Sequence, residues 1–498
     1  MIRLDDVGWT YPHAGAPSLH GLDLQVRPGE FVVLCGASGS GKSTALRLMN
    51  GLVPHFHEEG TLTGTVTVDG ADTRTARLDE LGACTGTVMQ HPRRQFFADT
   101  APEEIAFAME NLGLPPDGIR ARVADTLADL AGAVPIAQSL QRLSGGQQQQ
   151  VAIAAATAHR PGIVLLDEPS ANLSADAVDR LAATLARLKR DGVTVVVAEH
   201  RLRYLEDLAD RIIVMRDGTV DTEWSAEAFR AVTDTDLARE GLRGHVSTAA
   251  LSPLPATGAS VAAPSPPDRL PAGALELEGI RCRLGGRTVI DLDRVVFPAG
   301  GVTAIRGANG AGKSTLARIV TGLQRSAGTV RLDGRPLSRR ARQRASAIVM
   351  QDVQRQLFTD TVAAEIGLAG TDAPGTTGTT GPADTRAVLE ALDLGHLAER
   401  HPLSLSGGQQ QRLVVAAVRA AGRRVVVFDE PSSGVDRRHL RSVSDQIRRV
   451  AAGGAVVLLI SHDEDLLALT ADQGLTLTPP GATARRPGGG HAGDEVPR

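Results

Sequence analysis

The sequence predicts an α/β chain built as two tandem lobes of one kind, each around a mainly parallel sheet. Three observations predict it. First, the second half repeats the first motif for motif. "SGKSTALRLMNGL" returns as "AGKSTLARIVTGL", "VMQHPRRQFFADT" as "VMQDVQRQLFTDT", and "LSGGQQQQVAIAAA" as "LSGGQQQRLVVAAV". "IVLLDEPSANLS" and "VTVVVAEH" return as "VVVFDEPSSGVD" and "AVVLLISH", and the later pairs lie 261 or 262 residues apart. Second, a short apolar strand, "EFVVLCG", ends in a glycine turn and gives way to the helical period of "KSTALRLMNGL". Third, "GIVLLDEP" and "VTVVVAEH" are continuous apolar runs, as expected of parallel strands buried on both faces.

Taken in order, residues 1–245 read as the first lobe and 246–274 as a linker rich in Pro and Ala. Residues 275–477 read as the second lobe, and 478–498 as a disordered tail. "GTDAPGTTGTTGPAD", from Gly370 to Asp384, reads as a flexible insert in lobe two. A net charge of −4 offers no footprint for nucleic acid, so none is expected as a partner. No apolar run approaches the roughly 18 residues of a membrane span, and the acidic N-terminus does not read as a signal peptide. Three cysteines at no metal-like spacing suit a reducing, cytoplasmic setting.

Gly36 to Ser43 and Gly307 to Ser314 both fit G-x-x-x-x-G-K-[ST]. Glycines let consecutive backbone N–H groups converge, and with the following helix N-terminus they cradle phosphate. Gly36, Ser38, Gly39, Gly41, Lys42, Ser43 and Thr44 are therefore expected to hold a nucleotide. Gly307, Asn309, Gly310, Gly312, Lys313, Ser314 and Thr315 are expected to do the same. The lysines would reach the terminal phosphates, and the Ser43 and Ser314 hydroxyls would ligate Mg²⁺. Asp167 and Asp429 end apolar strands, where a carboxylate can complete the metal shell. Glu168 and Glu430 follow them and could polarise a water. Gln90 and Gln351 could join the metal and water shell, and His200 and His462 could bond the terminal phosphate. "HFHEE", from His55 to Glu59, reads as a solvated loop and not as a metal site.

"LSGGQ", at Leu143–Gln147 and Leu405–Gln409, places a serine and two glycines before a helical pattern, a second anion site in each lobe. With glycine loop, glutamine, LSGGQ, "DEP" and histidine in that order over almost all of both lobes, the chain resembles the ATP-binding-cassette (ABC) ATPases. The resemblance implies P-loop NTPase domains, each with an antiparallel β subdomain and a helical subdomain, and ATP hydrolysis with Mg²⁺. It also implies head-to-tail pairing of the lobes as an internal pseudo-dimer. Lys42, Ser43, Gln90, Asp167, Glu168 and His200 would then face Ser406, Gly407 and Gly408. Lys313, Ser314, Gln351, Asp429, Glu430 and His462 would face Ser144, Gly145 and Gly146.

The two sites are expected to be unequal. The family stacks an aromatic on adenine, a role Tyr11 fits, whereas Leu284 stands opposite it in lobe two. Lobe two carries Asp436 after its DEP motif; lobe one has Ser174 instead. By the family's geometry both departures fall on the Lys313 site, which should bind or turn over ATP less well.

Within the family, "LMNGLVPHFHEEG", "RRQFFADT" and "AEHRLRYLEDLADRIIVM" are similar to energy-coupling-factor (ECF) uptake ATPases. That resemblance implies a cytoplasmic chain docked on the inner face of the membrane. Its partners would be a membrane scaffold and a substrate-binding membrane component, with a vitamin, a vitamin precursor or a metal ion as typical cargo. Phe96 and Phe97, and Leu357 and Phe358, sit where such systems receive membrane helices. The alternative is a soluble twin cassette acting on ribosomes or another macromolecule.

Overall fold

The computed structural model describes residues 1–12, 14–171, 173–243, 251–254, 256–257, 272–308, 310–350, 353–371, 382–432 and 437–478. Asn309, Gln351, Asp436, residues 479–498 of the tail and most of the Gly370–Asp384 insert lie outside them.

Lobe one holds two sheets. The core sheet runs Thr219–Ser225, Arg211–Arg216, Phe31–Cys35, Thr194–Ala198, Ile163–Asp167, Thr85–Val88. It is parallel except for the antiparallel hairpin at its edge. Phe31–Cys35 and Thr194–Ala198 are buried along their whole length, which is why they read as unbroken apolar runs. The second sheet, Leu19–Val26, Ile2–Thr10, Thr61–Val68 and Ala71–Asp72, is antiparallel. Helices Ala101–Asn111, Pro116–Leu130 and Gly145–Thr157 form a separate cluster around Ile105, Met109, Leu140 and Val151.

Lobe two repeats this plan. Its core sheet runs Ser252–Pro253, Gln473–Thr476, Val302–Arg306, Val456–Ile460, Val425–Asp429, Ser346–Val349, all parallel. Its antiparallel sheet is built on the long hairpin of Leu275–Leu284 and Arg287–Phe297.

The two differ at one edge. Lobe one continues past Arg211–Arg216 into its own edge strand, whereas lobe two's last strand ends at Thr476. Ser252–Pro253, from the segment read as linker, takes the open position beside Gln473–Gly474, and Ala256–Thr257 pairs with Arg294–Val295. Leu254 is buried between these pairings. An uncovered sheet edge offers unpaired backbone groups, and a few residues suffice to satisfy them despite the Pro-rich composition.

Candidate functional site

Each glycine loop leaves the centre of its core sheet under the same constraint. Gly36 and Gly307 take φ of 141° and 143°. A Cβ on Gly36 would lie 2.2 Å from the Met215 carbonyl oxygen, and one on Gly307 2.4 Å from that of Leu477. Only glycine fits there. Helices Lys42–Met49 and Lys313–Val320 begin at once, their first N–H groups facing the loop's concavity. Lys42 Nζ donates to the Gly36 and Ala37 carbonyls at 2.9 Å each, and Lys313 Nζ to those of Gly307 and Ala308 at 2.7 and 3.2 Å. Both ammonium groups thus lie folded over their own loops, within reach of an anion seated in them.

The serines that follow meet the strand-end aspartates. Ser43 Oγ donates to Asp167 Oδ1 at 2.9 Å, and Ser314 bonds Asp429 in the same way. Burial, and next the Glu168 charge, push Asp167 up to about 6 while Ser43 pulls it down; burial likewise raises Asp429. A hydroxyl beside a carboxylate, with the Gln90 amide close by, is a hard-oxygen donor set of the kind Mg²⁺ takes.

Glu168 and Glu430 come next, with φ of 45° and 55° in the left-handed region that side chains rarely adopt. Their N–H groups are tied to the switch strands, donating to the carbonyls of Ala198 and Ile460 at 2.8 Å. The turn aims both carboxylates back toward the glycine loop; strained backbone of this kind gathers at functional sites.

Their partners differ. Glu168 accepts from Gln90 Nε2 at 2.7 Å and lies 3.1 Å from His200 Nε2. Burial pushes Glu168 up, but the His200 ring, Lys42 and Gln90 together hold it down at about 2. Glu430 accepts instead from the His462 backbone N–H at 3.1 and 3.2 Å and from Ser461 Oγ at 3.2 Å, with the His462 ring 3.9 Å off. Burial pushes Glu430 up to about 7, and burial with the Lys313 and Arg201 charges pushes His462 down to about 4.

Ser144 and Ser406 cap helices Gly145–Thr157 and Gly407–Ala420, and Gln147 and Gln409 close each capping box. The LSGGQ glutamine therefore has a local task, accepting from its serine's N–H at 3.0 and 2.9 Å. Ser144, Gly145, Ser406 and Gly407 stay exposed. Gly146 is buried, and a Cβ there would press on Ala177 at 2.9 Å; Gly408 is half-buried.

Contacts also run between lobes. A cleft of about 1030 Å³ is lined by Pro135, Gln138 and Arg142, just before the first signature, and by Leu284, Gly285 and Arg287 of lobe two. The Asp176 charge acts on His462, and that of Arg201 on Glu430. Arg94 donates to Gln354 Oε1 at 2.7 Å, and Arg243 to Asp463 Oδ2 at 2.6 Å.

Tyr11 stands edge-on to Trp9 and His57, at 5.6 and 5.2 Å, with its hydroxyl 3.4 Å from Thr44 Oγ1. It is thus fixed beside the helix that follows the glycine loop. Leu284 is exposed at the end of its strand. His55 bonds the Thr73 carbonyl, and among the described residues no group of three metal-binding side chains gathers.

The apolar pairs after the glutamines split, against the expectation that both members serve docking. Phe96 packs on the core and Leu357 is 7% exposed, while Phe97 and Phe358 are 76% and 77% exposed. In each pair the first residue turns inward and the second outward. Sequence reasoning missed what fixes them. Buried Glu104 accepts from the Phe97 and Ala98 N–H groups at 2.9 Å, and buried Glu365 from those of Phe358 and Thr359 at 3.0 Å. A glutamate seven residues after each phenylalanine was the available signal.

Comparison with known proteins supplies the family. The family described as "ABC transporter" matches residues 19–171 and 293–433. A Treponema denticola protein whose name describes an ABC transporter ATP-binding protein is 38% identical over 470 residues, 94% of this chain and 93% of its own. One of Streptomyces avermitilis, similarly named, is 37% identical over 94% of this chain and 90% of its own. The solved structure of RNase-L Inhibitor superposes with a TM-score of 0.60 over 95% of this chain and 87% of its own, at 21% identity, a likeness of fold.

Proposed function

Because the chain belongs to the ABC transporter ATP-binding family and hydrolyses ATP, we propose that it drives an ECF-type membrane uptake transporter. It does so through two composite ATP sites formed head to tail between its lobes. The observation that carries this reading is the matched presentation of Phe97 and Phe358. In each lobe a buried carboxylate pins the loop backbone and leaves one large aromatic in solvent. Phe97 also stacks on Phe107 at 4.7 Å, which extends the apolar surface. Exposed aromatics held rigidly are the anchors by which interfaces gain most of their energy. No helix among the described residues is long and apolar enough to cross a membrane, and the reading assigns the membrane-spanning part to partner proteins.

At each site the glycine loop and its lysine hold the phosphates. Ser43 with Asp167, and Ser314 with Asp429, would hold Mg²⁺, which would neutralise phosphate charge. Glu168 and Glu430 orient the attacking water and take its proton at a carboxylate oxygen, and His200 holds Glu168 in place. Head-to-tail pairing is supported by the cleft between the first signature region and Leu284, and by Asp176 acting on His462. The missing aromatic and Ser174 then meet at the Lys313 site.

The test is fractionation of cells expressing a tagged chain. It should sediment with membranes and co-purify with integral membrane proteins, and Phe97→Asp with Phe358→Asp should release it. Sedimentation with ribosomes, or membrane binding untouched by those changes, overturns the reading.

A further inference from the structure

The residue that follows each switch histidine breaks the repeat: Arg201 in lobe one, Asp463 in lobe two. So does the residue before it, Glu199 against Ser461. The structure shows what these exchanges do. In lobe one the turn is tied together by its own glutamate. Glu199 accepts from the backbone N–H groups of Ser170 and His200 at 3.1 and 2.7 Å and from the Tyr204 hydroxyl at 2.9 Å. Glu168 is left to side chains of its own lobe.

In lobe two the turn itself holds the carboxylate. The Ser461 hydroxyl and the His462 N–H both donate to Glu430. The Asp463 N–H donates to Ser461 Oγ at 3.0 Å, orienting that hydroxyl toward Glu430. Asp463 is in turn gripped from lobe one: Arg243 donates to its Oδ2 at 2.6 Å, with both side chains almost wholly buried. Arg243 is itself registered by a backbone bridge to Arg201. Arg243 of lobe one thus holds the Asp463 side chain, the Asp463 backbone N–H holds the Ser461 hydroxyl, and that hydroxyl holds Glu430 of lobe two. No such chain across the lobes is needed to hold Glu168.

We propose that Arg243 is a positioning residue for the Lys313 site, fixing the pose of Glu430 from the opposite lobe. Asp463 also caps its own helix at the Leu466 N–H, 3.3 Å away, so lobe one adds a brace across the interface to a turn of lobe two, whereas Glu168 is held by side chains of its own lobe. A buried ion pair between lobes is suited to this, because its strength depends steeply on geometry and on exclusion of water. The inference rests on Glu430 being the catalytic carboxylate of its site.

The experiment measures steady-state ATP turnover of the full chain with one site disabled at a time. In a Glu168→Gln background, where turnover belongs to the Lys313 site, Arg243→Met should lower kcat about tenfold or more and leave KM nearly unchanged. Arg243→Lys should recover most of that loss. In a Glu430→Gln background Arg243→Met should change kcat less than about twofold. A second readout uses the unaltered background with a vanadate-trapped photoaffinity ATP analogue. Arg243→Met should reduce labelling of the Lys313 peptide and spare the Lys42 peptide. Equal loss at both sites, or no loss at the Lys313 site, overturns the clamp. If Glu430→Gln spares labelling of the Lys313 peptide, the assignment of Glu430 fails and the clamp fails with it.

Discussion

Glu168 and Glu430 sit at the same place in the repeat, at the same unusual backbone angle, each tied by its N–H to the neighbouring strand. Around Glu168 the partners are side chains of lobe one, Gln90 and the His200 ring. Around Glu430 they are the backbone and serine of a turn braced from across the interface. The contrast separates two things the motifs run together. Spacing along the chain brings a carboxylate to the loop, but the groups that set its charge come from elsewhere. Both carboxylates are buried, but local side chains hold Glu168 low, whereas Glu430 is left raised in a turn braced from the other lobe.

The largest effect should come from removing each carboxylate. Glu168→Gln is expected to lower ATP turnover about 100-fold or more, since an amide accepts no proton from water. Glu430→Gln should cost far less, about twofold at most, on the proposal that the Lys313 site carries the smaller share of turnover. Equal losses would break the comparison.

Next are the histidines and the base platform. His200→Ala should cost about tenfold in kcat, since a ring at 3.1 Å holds Glu168 directly. His462→Ala should cost less through Glu430, because its ring stands 3.9 Å away and the backbone N–H that holds the carboxylate is retained. For binding, Tyr11→Ala should weaken ATP at the Lys42 site by about 1–3 kcal/mol, the range found for stacked bases. Leu284→Tyr should tighten the Lys313 site by part of that amount. Nucleotide titrations with one site disabled would measure both, and an unchanged affinity in Tyr11→Ala removes that residue from the base site.

The motifs were legible because phosphate chemistry demands particular residues within a few positions of each other. The glycine loops, "DEP" and the capping serines all compress their geometry into less than three turns of chain. The paired halves made the two-lobe α/β fold legible for the same reason. What stayed hidden depends on contacts far apart in sequence. The left-handed angle at Glu168 is imposed by a strand some thirty residues on. Which of Phe96 and Phe97 turns inward is decided by the core beneath, and the edge strand at Ser252 by a vacancy two hundred residues later. Arg243 sits 220 residues from Asp463. Its partner did leave a trace, since Arg201 against Asp463 is a charge reversal directly after a histidine the two lobes share.

A last set of effects should appear in pH dependence, and they test the contrast without moving an atom of the interface. Burial first of all raises Glu430 to about 7, so below that pH it carries a proton and cannot take one from water. Glu168, held near 2, stays ionised over the same range. With Glu168→Gln as background, turnover should therefore rise about tenfold between pH 6 and pH 8, following the ionised fraction. With Glu430→Gln as background it should stay nearly flat. Stability should follow the same group: a folded pKa above the unfolded one favours the folded state fully below about 4.5, and that contribution is lost as pH rises through about 7. Thermal melts of the parent and Glu430→Gln should thus diverge between pH 5 and pH 8, with the amide variant gaining relative to the parent as pH rises. A flat difference would mean that Glu430 is already ionised in the folded chain, and the two carboxylates would then be alike in charge if not in partners.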